Sequence, residues 1–231
     1  MRLNFILLLI CFNGVTSLLE AQGPNREHAC LFSTKVDGRA AHPTFCKGDD
    51  PLRLAKDANL AKVIRAFDIR PESIQFTGCE GGVFSTAEDQ FSGSSGATNR
   101  YVITYPSGVK SDFLAPITHE LAHVLQIEMV GNLKRLRDST ESKRIELGAD
   151  FLTGIAFSHF LEQTSLGDFQ HNLSLIGLYL DSSSEAHGSP MERTAAFRRG
   201  VFFSFASVSE NVRRASQEFQ ANIYGEIIAV P

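Results

Sequence analysis

Two stretches decide how the chain is read: Thr118-His119-Glu120-Leu121-Ala122-His123-Val124-Leu125, and further on Arg144-Ile145-Glu146-Leu147-Gly148-Ala149-Asp150-Phe151. The first carries two histidines four residues apart inside an apolar run of helical character. On a helix, residues four apart stand about 6 Å apart along the axis and about 40° apart around it, so both imidazoles reach one ion. Glu120 lies about 100° round from His119, beside such an ion rather than on it. Ile117, Leu121, Val124, Leu125 and Met129 are expected to anchor this helix in the core.

A pair of histidines needs a third ligand to hold a metal firmly. Gln126 and Met129 stand where the metzincin pattern has a glycine and a third histidine, so that solution is excluded. Glu146 and Asp150 sit one turn apart on one helical face. We expect Glu146 to complete the ligand set and Asp150 to accept the outer N–H of a ligating histidine, His119 first. The reverse assignment, Asp150 on the metal and Glu146 outside, stays open at this level. Two imidazoles and a carboxylate suit Zn2+ best among the divalent ions.

Outward from these helices, Pro116 is expected to open the first and Gly131 to close it, with a second running from Ser139 or Thr140 to about Glu162. A third is expected over about Leu166–Leu180. Ser189-Pro190-Met191-Glu192 reads as a capped start for a fourth, and a fifth covers about Glu210–Tyr224. Earlier, Asp50 and Pro51 mark the start of a helix ending near Phe67, and Ser73–Thr77 and Tyr101–Tyr105 read as strands. Between the strands, Ser92–Thr98 reads as a Gly- and Ser-rich loop. The pattern predicts a mixed α+β domain, a small N-terminal β-sheet followed by a mostly helical C-terminal half. Phe151, Phe157, Phe160, Phe197 and Phe202 are expected to pack in its core.

The 231 residues suffice for one domain, and a formal charge of -4 with 21% charged residues argues against nucleic acid as a partner. Arg2 followed by the apolar run Phe5–Phe12 reads as a signal peptide over 1–21, too short to span a bilayer, with an uncleaved anchor as the alternative. A polar extension over 22–49 then precedes the domain, 50–231. The expected product is exported, periplasmic or secreted, with no stable membrane span. In an oxidising compartment Cys30 would pair with Cys46, and Cys79 is an alternative partner for either.

These motifs resemble the gluzincins, whose His-Glu-x-x-His precedes a Glu-x-x-x-Asp helix. They look closer still to a bacterial family of neutral zinc metallopeptidases with a second motif Glu-Leu-x-Ala-Asp and a third of His-Gly-Thr/Ser followed by an arginine. Here the counterparts are Glu146-Leu147-Gly148-Ala149-Asp150 and His187-Gly188-Ser189-Pro190-Met191-Glu192-Arg193, a likeness over about 90 residues. Phe151 departs from the cysteine common after the aspartate. The resemblance implies a zincin-like fold, one zinc held by His119, His123 and Glu146, and hydrolysis of peptide bonds with Glu120 as general base. His187, near a helix N-terminus, is a candidate donor to the oxyanion, or it merely starts the helix while Arg193 pins the loop. The rival from another class is a non-catalytic zinc-stabilised binding or scaffold module; a hydrolase acting on other bonds is a third reading.

Overall fold

A computed structural model of the chain describes residues 57–79, 85–88, 100–106, 114–161, 187–204 and 212–229. The signal-peptide and extension readings, the Cys30–Cys46 pairing, the Ser92–Thr98 loop and the helix expected over Leu166–Leu180 lie outside them, as does the Cys79 side chain.

Among the described residues the fold is mixed α+β, mostly helical with one small sheet. Helix α1 spans Ala58–Ala66. Its N-cap Asp57 is extended (φ -67, ψ 121), and the carboxylate accepts from the N–H groups of Asn59 and Leu60; the helix start expected at Asp50-Pro51 lies outside the described residues. Strands β1 (Ile74–Cys79), β2 (Ser85–Glu88) and β3 (Tyr101–Pro106) form a sheet in the order β1-β3-β2. The outer pair flank β3 in opposite senses: β1 runs parallel, with Ile74 opposite Tyr101, and β2 antiparallel, with Thr86 opposite Ile103. Tyr101-Val102-Ile103 is buried on both faces, as a central strand requires. β2, Ser-Thr-Ala-Glu, was missed by sequence reasoning, being short and without an apolar alternation.

Helix α2 spans Leu114–Val130 and is buried from Leu114 to Ile127. A helix apolar all round belongs in the middle of a domain. The sheet and α1 lie against it, and α4 (Ser142–Ile155) crosses it on another side. Gly131, at φ 103, ends α2. A short helix α3 (Leu133–Ser139) intervenes where no element was expected. Asn132 caps it through the N–H of Arg135, and Glu88 of β2 accepts from the N–H of Leu133. α4 continues as a π-helical turn, Ala156–Phe160.

Helix α5 (Pro190–Val201) packs along α4, and its start has the expected capping box between Ser189 and Glu192. Two glycines let the helix backbones touch. A Cβ at Gly154 would lie 2.1 Å from the Phe197 carbonyl oxygen, and one at Gly200 would lie 2.0 Å from that of Phe151. The chain then forms α6 (Val212–Glu218), a π-helical turn (Phe219–Ile223) and α7 (Tyr224–Ile228). Phe151, Phe157 and Phe197 are buried and Phe160 partly so, but Phe202 is 75% exposed. It stands at the C-cap of α5, past the face that meets α4. No helix among the described residues is long and apolar enough to cross a membrane.

Candidate metal centre

α2 presents His119 and His123 on one face, their ring centroids 4.7 Å apart and their planes at 88°. α4 brings Glu146 against both. The facing atoms are the two Nε2 nitrogens and the two oxygens of the Glu146 carboxylate. His119 Nε2 is 3.1 Å from His123 Nε2 and 3.3 Å from Glu146 Oε2, and His123 Nε2 is 3.5 Å from Glu146 Oε1. All three residues are at most 2% exposed.

Hydrogen bonds on the far side of each ring fix where its proton sits. The Asp150 carboxylate faces His119 Nδ1 at 2.9 Å, and a carboxylate accepts, so this nitrogen carries the hydrogen. On His123, Nδ1 is 2.9 Å from Gln126 Oε1, while Gln126 Nε2 donates to the Ile145 carbonyl at 2.9 Å. That carbonyl sets the amide's orientation, and the Nδ1–H of His123 therefore donates to Gln126. With both rings neutral, their Nε2 lone pairs and the Glu146 carboxylate oxygens converge as acceptors, and a cation, whether a proton or a metal ion, satisfies such a group.

Tetrahedral bonds of about 2.0–2.1 Å place ligand atoms about 3.3–3.4 Å apart, which the observed distances bracket, so the donor set fits zinc. The charge agrees. Glu120, Glu146, Asp150 and Arg193 are the buried carboxylates and guanidinium among the described residues, so three negative groups face one positive. With neutral imidazoles the cluster is left two negative charges in excess, the complement of one divalent ion. Among the described residues no fourth His, Cys, Asp or Glu joins the three.

Arg193 reaches this cluster from α5. Its Nε and Nη2 donate to Asp150 Oδ2 and Oδ1 at 2.7 and 2.8 Å, and it is 1% exposed. It neutralises the carboxylate that orients His119. Burial pushes the Asp150 carboxyl up, but Arg193 and His119 more than offset this and hold it below its ordinary value. Burial likewise pulls the His119 imidazole down, yet the bonds and charges of Asp150 and Glu146 outweigh it and lift the ring to about 10. Glu146, also raised by burial, is driven the other way by the two imidazoles to well below the usual carboxylate range. The field that draws a proton to this point also draws a metal cation.

Glu120, one residue on from His119, is 1% exposed and holds away from that group. Thr86 of β2 places its hydroxyl 2.8 Å from Glu120 Oε2 and 2.9 Å from the Glu120 carbonyl oxygen. Burial raises the Glu120 carboxyl above its ordinary value, against the opposing pull of His123, His119 and Thr86. A buried carboxyl with a raised pKa is a candidate for taking and returning a proton.

No protein-family model, no curated protein and no solved structure matches the chain. Of the residues singled out in the sequence, His119, His123 and Glu146 come together, with Asp150 behind His119, and the exchange of Glu146 and Asp150 is not what the geometry shows. His187 stands two residues before the N-cap Ser189. The intervening Gly188, at φ 84, lies against Leu147, the neighbour of Glu146. Sequence reasoning missed Thr86, because β2 gave no strand signal. It used Gln126 only as a mismatch to the glycine of the metzincin pattern, although a glutamine three residues after a ligating histidine lies on the same helical flank.

Proposed function

We propose that the chain is an exported zinc metallopeptidase of zincin-like fold, with His119, His123 and Glu146 as ligands and Glu120 as general base. The observation that carries this reading is the buried group of acceptors with a separate, raised carboxyl beside it. In a structural zinc site four protein ligands close the coordination sphere, whereas three ligands and an adjacent acid or base mark a catalytic one. When bound there, the ion supplies a Lewis acid for a substrate carbonyl and lowers the pKa of a water toward about 7.

The protein's own part follows from the contacts. Asp150 and Gln126 accept from the Nδ1–H groups of His119 and His123, so that both Nε2 atoms are aimed at one point, where a metal ion would displace any proton. Glu120 takes the proton of the attacking water and delivers it to the leaving amine, and Thr86 holds the carboxylate in place for both transfers. Among the described residues β2 is a terminal strand of the sheet, and its outer edge would offer backbone N–H and C=O groups to an extended peptide, with Thr86 directing that edge toward Glu120. This favours a peptide over other hydrolysable substrates. His187 is assigned the role of donor to the developing oxyanion, on its position before the α5 N-terminus and the packing of Gly188 on Leu147.

The test is incubation of zinc-loaded protein with a mixed peptide library, with and without a chelator. Chelator-sensitive cleavage, lost in Glu120→Gln with zinc still bound, supports the reading. The near-complete burial of the site favours a second reading, a zinc-stabilised binding or scaffold module. Bound zinc without cleavage would decide for it.

A further inference from the structure

The Gln126 side chain spans the two helices of the metal centre. Its amide oxygen meets His123 Nδ1 and its amide nitrogen meets the backbone carbonyl of Ile145, the residue before Glu146. The room for that amide is made by Gly148, one turn along α4. A Cβ at Gly148 would stand 2.7 Å from Gln126 Nε2, closer than carbon and nitrogen approach without displacement. The same Cβ would meet the Gln220 and Phe219 side chains only at 3.3 and 3.4 Å, which small adjustments absorb. Gly148 has no positive φ to explain it. In mid-helix a glycine costs about 1 kcal/mol relative to alanine, so the space it leaves is the reason for its presence.

We propose that Gln126 is a positioning residue of the metal site and that Gly148 is its seat. Held by the Ile145 carbonyl above Gly148, the Gln126 amide can present only its oxygen to His123. The His123 proton stays on Nδ1 and Nε2 stays aimed at the ion. An amide turned over would set its oxygen against the Ile145 carbonyl and its N–H against Nδ1, forcing the His123 proton onto the nitrogen that must bind metal. The register between His123 on α2 and Glu146 on α4 is thereby set through one hydrogen-bonded amide. This inference rests on the metal reading above and deepens it.

The pair lends itself to a double-mutant cycle read in zinc affinity rather than in activity. Gln126→Met keeps the side-chain length and removes both hydrogen bonds. Gly148→Ala leaves Gln126 intact and pushes its flexible end off the seat, a displacement the fold tolerates. Each single substitution should weaken Zn2+ binding roughly 10–100-fold in a chelator competition, the usual loss for an outer partner of a ligating histidine. The double variant should bind no more weakly than the weaker single, because the methionine leaves no amide for the added methyl group to displace. Cobalt-loaded forms of both singles should show the same change in visible spectrum, which a defect of packing elsewhere would not produce. Singles with wild-type affinity, or losses that multiply in the double, would overturn the role of Gln126 while leaving the metal reading intact. Wild-type protein that binds no zinc, or a His123→Ala variant that binds it as well as wild type, would overturn both.

Discussion

Arg193 and Glu120 put the account to different tests at the scale of single residues. Arg193 is buried and committed to Asp150, so Arg193→Leu leaves a carboxylate in the interior with its counter-charge gone. Removing one partner of a buried pair costs about 3–5 kcal/mol, and denaturant unfolding of the chelated protein should show a loss of that size. A loss typical of a surface change would mean that Asp150 is not compensated by this arginine. Glu120 has the opposite character. Glu120→Gln keeps the size of the side chain and lies outside the ligand set, so zinc content should hold at the wild-type level while peptide hydrolysis disappears. His187→Ala should lower turnover about a hundredfold with metal content unchanged, the usual effect of removing an oxyanion donor; unchanged turnover would end that assignment.

At the scale of elements, the site depends on how closely α4 and α5 approach, because α4 carries Glu146 and Asp150 and α5 carries Arg193. Gly200→Ala would drive a Cβ onto the Phe151 carbonyl, a backbone atom that cannot turn aside. We expect a destabilisation of at least about 1–3 kcal/mol, seen as a lower melting temperature, since overpacking a helix contact costs at least that much. The strand β3 supplies a test against pH. Burial lifts the Tyr101 phenol to about 12, above its unfolded value of about 10. A raised folded value means stability complete below about pH 10 and lost as pH rises through 12. An absorbance titration should show one tyrosine ionising late and together with alkaline unfolding.

What was legible in the sequence was what local spacing encodes. The four-residue interval of His119 and His123, the same interval of Glu146 and Asp150, and the Ser189–Glu192 cap each specify a relation within one helix, and each has its counterpart in the fold. Beyond the Glu146 and Asp150 contacts with the histidine pair, relations between elements were not legible. Thr86 meets Glu120 across 34 positions and Arg193 meets Asp150 across 43, and no periodicity carries such information. β2 is a strand because β3 lies beside it, not because Ser-Thr-Ala-Glu prefers to be one. Asp57, not singled out in the sequence, caps α1 through the N–H groups of Asn59 and Leu60.

For the molecule as a whole, the decisive quantity is the charge excess at the centre of the fold. With Glu120 ionised and the imidazoles neutral, three buried carboxylates face one guanidinium, an excess that a bound cation would relieve. On the proposed metal reading, binding and folding would be linked, and a ligand present at a thousand times its Kd stabilises the folded state by about 4 kcal/mol. Calorimetry should find the melting temperature lowered by a chelator and restored by added zinc, with no such response in Glu146→Ala. The most direct measurement is the metal content of the purified protein, wild type beside His119→Ala, His123→Ala and Glu146→Ala, by elemental mass spectrometry. The account predicts about one zinc per wild-type chain and little in any of the three variants. A wild-type chain without zinc, or zinc retained in all three, would contradict it.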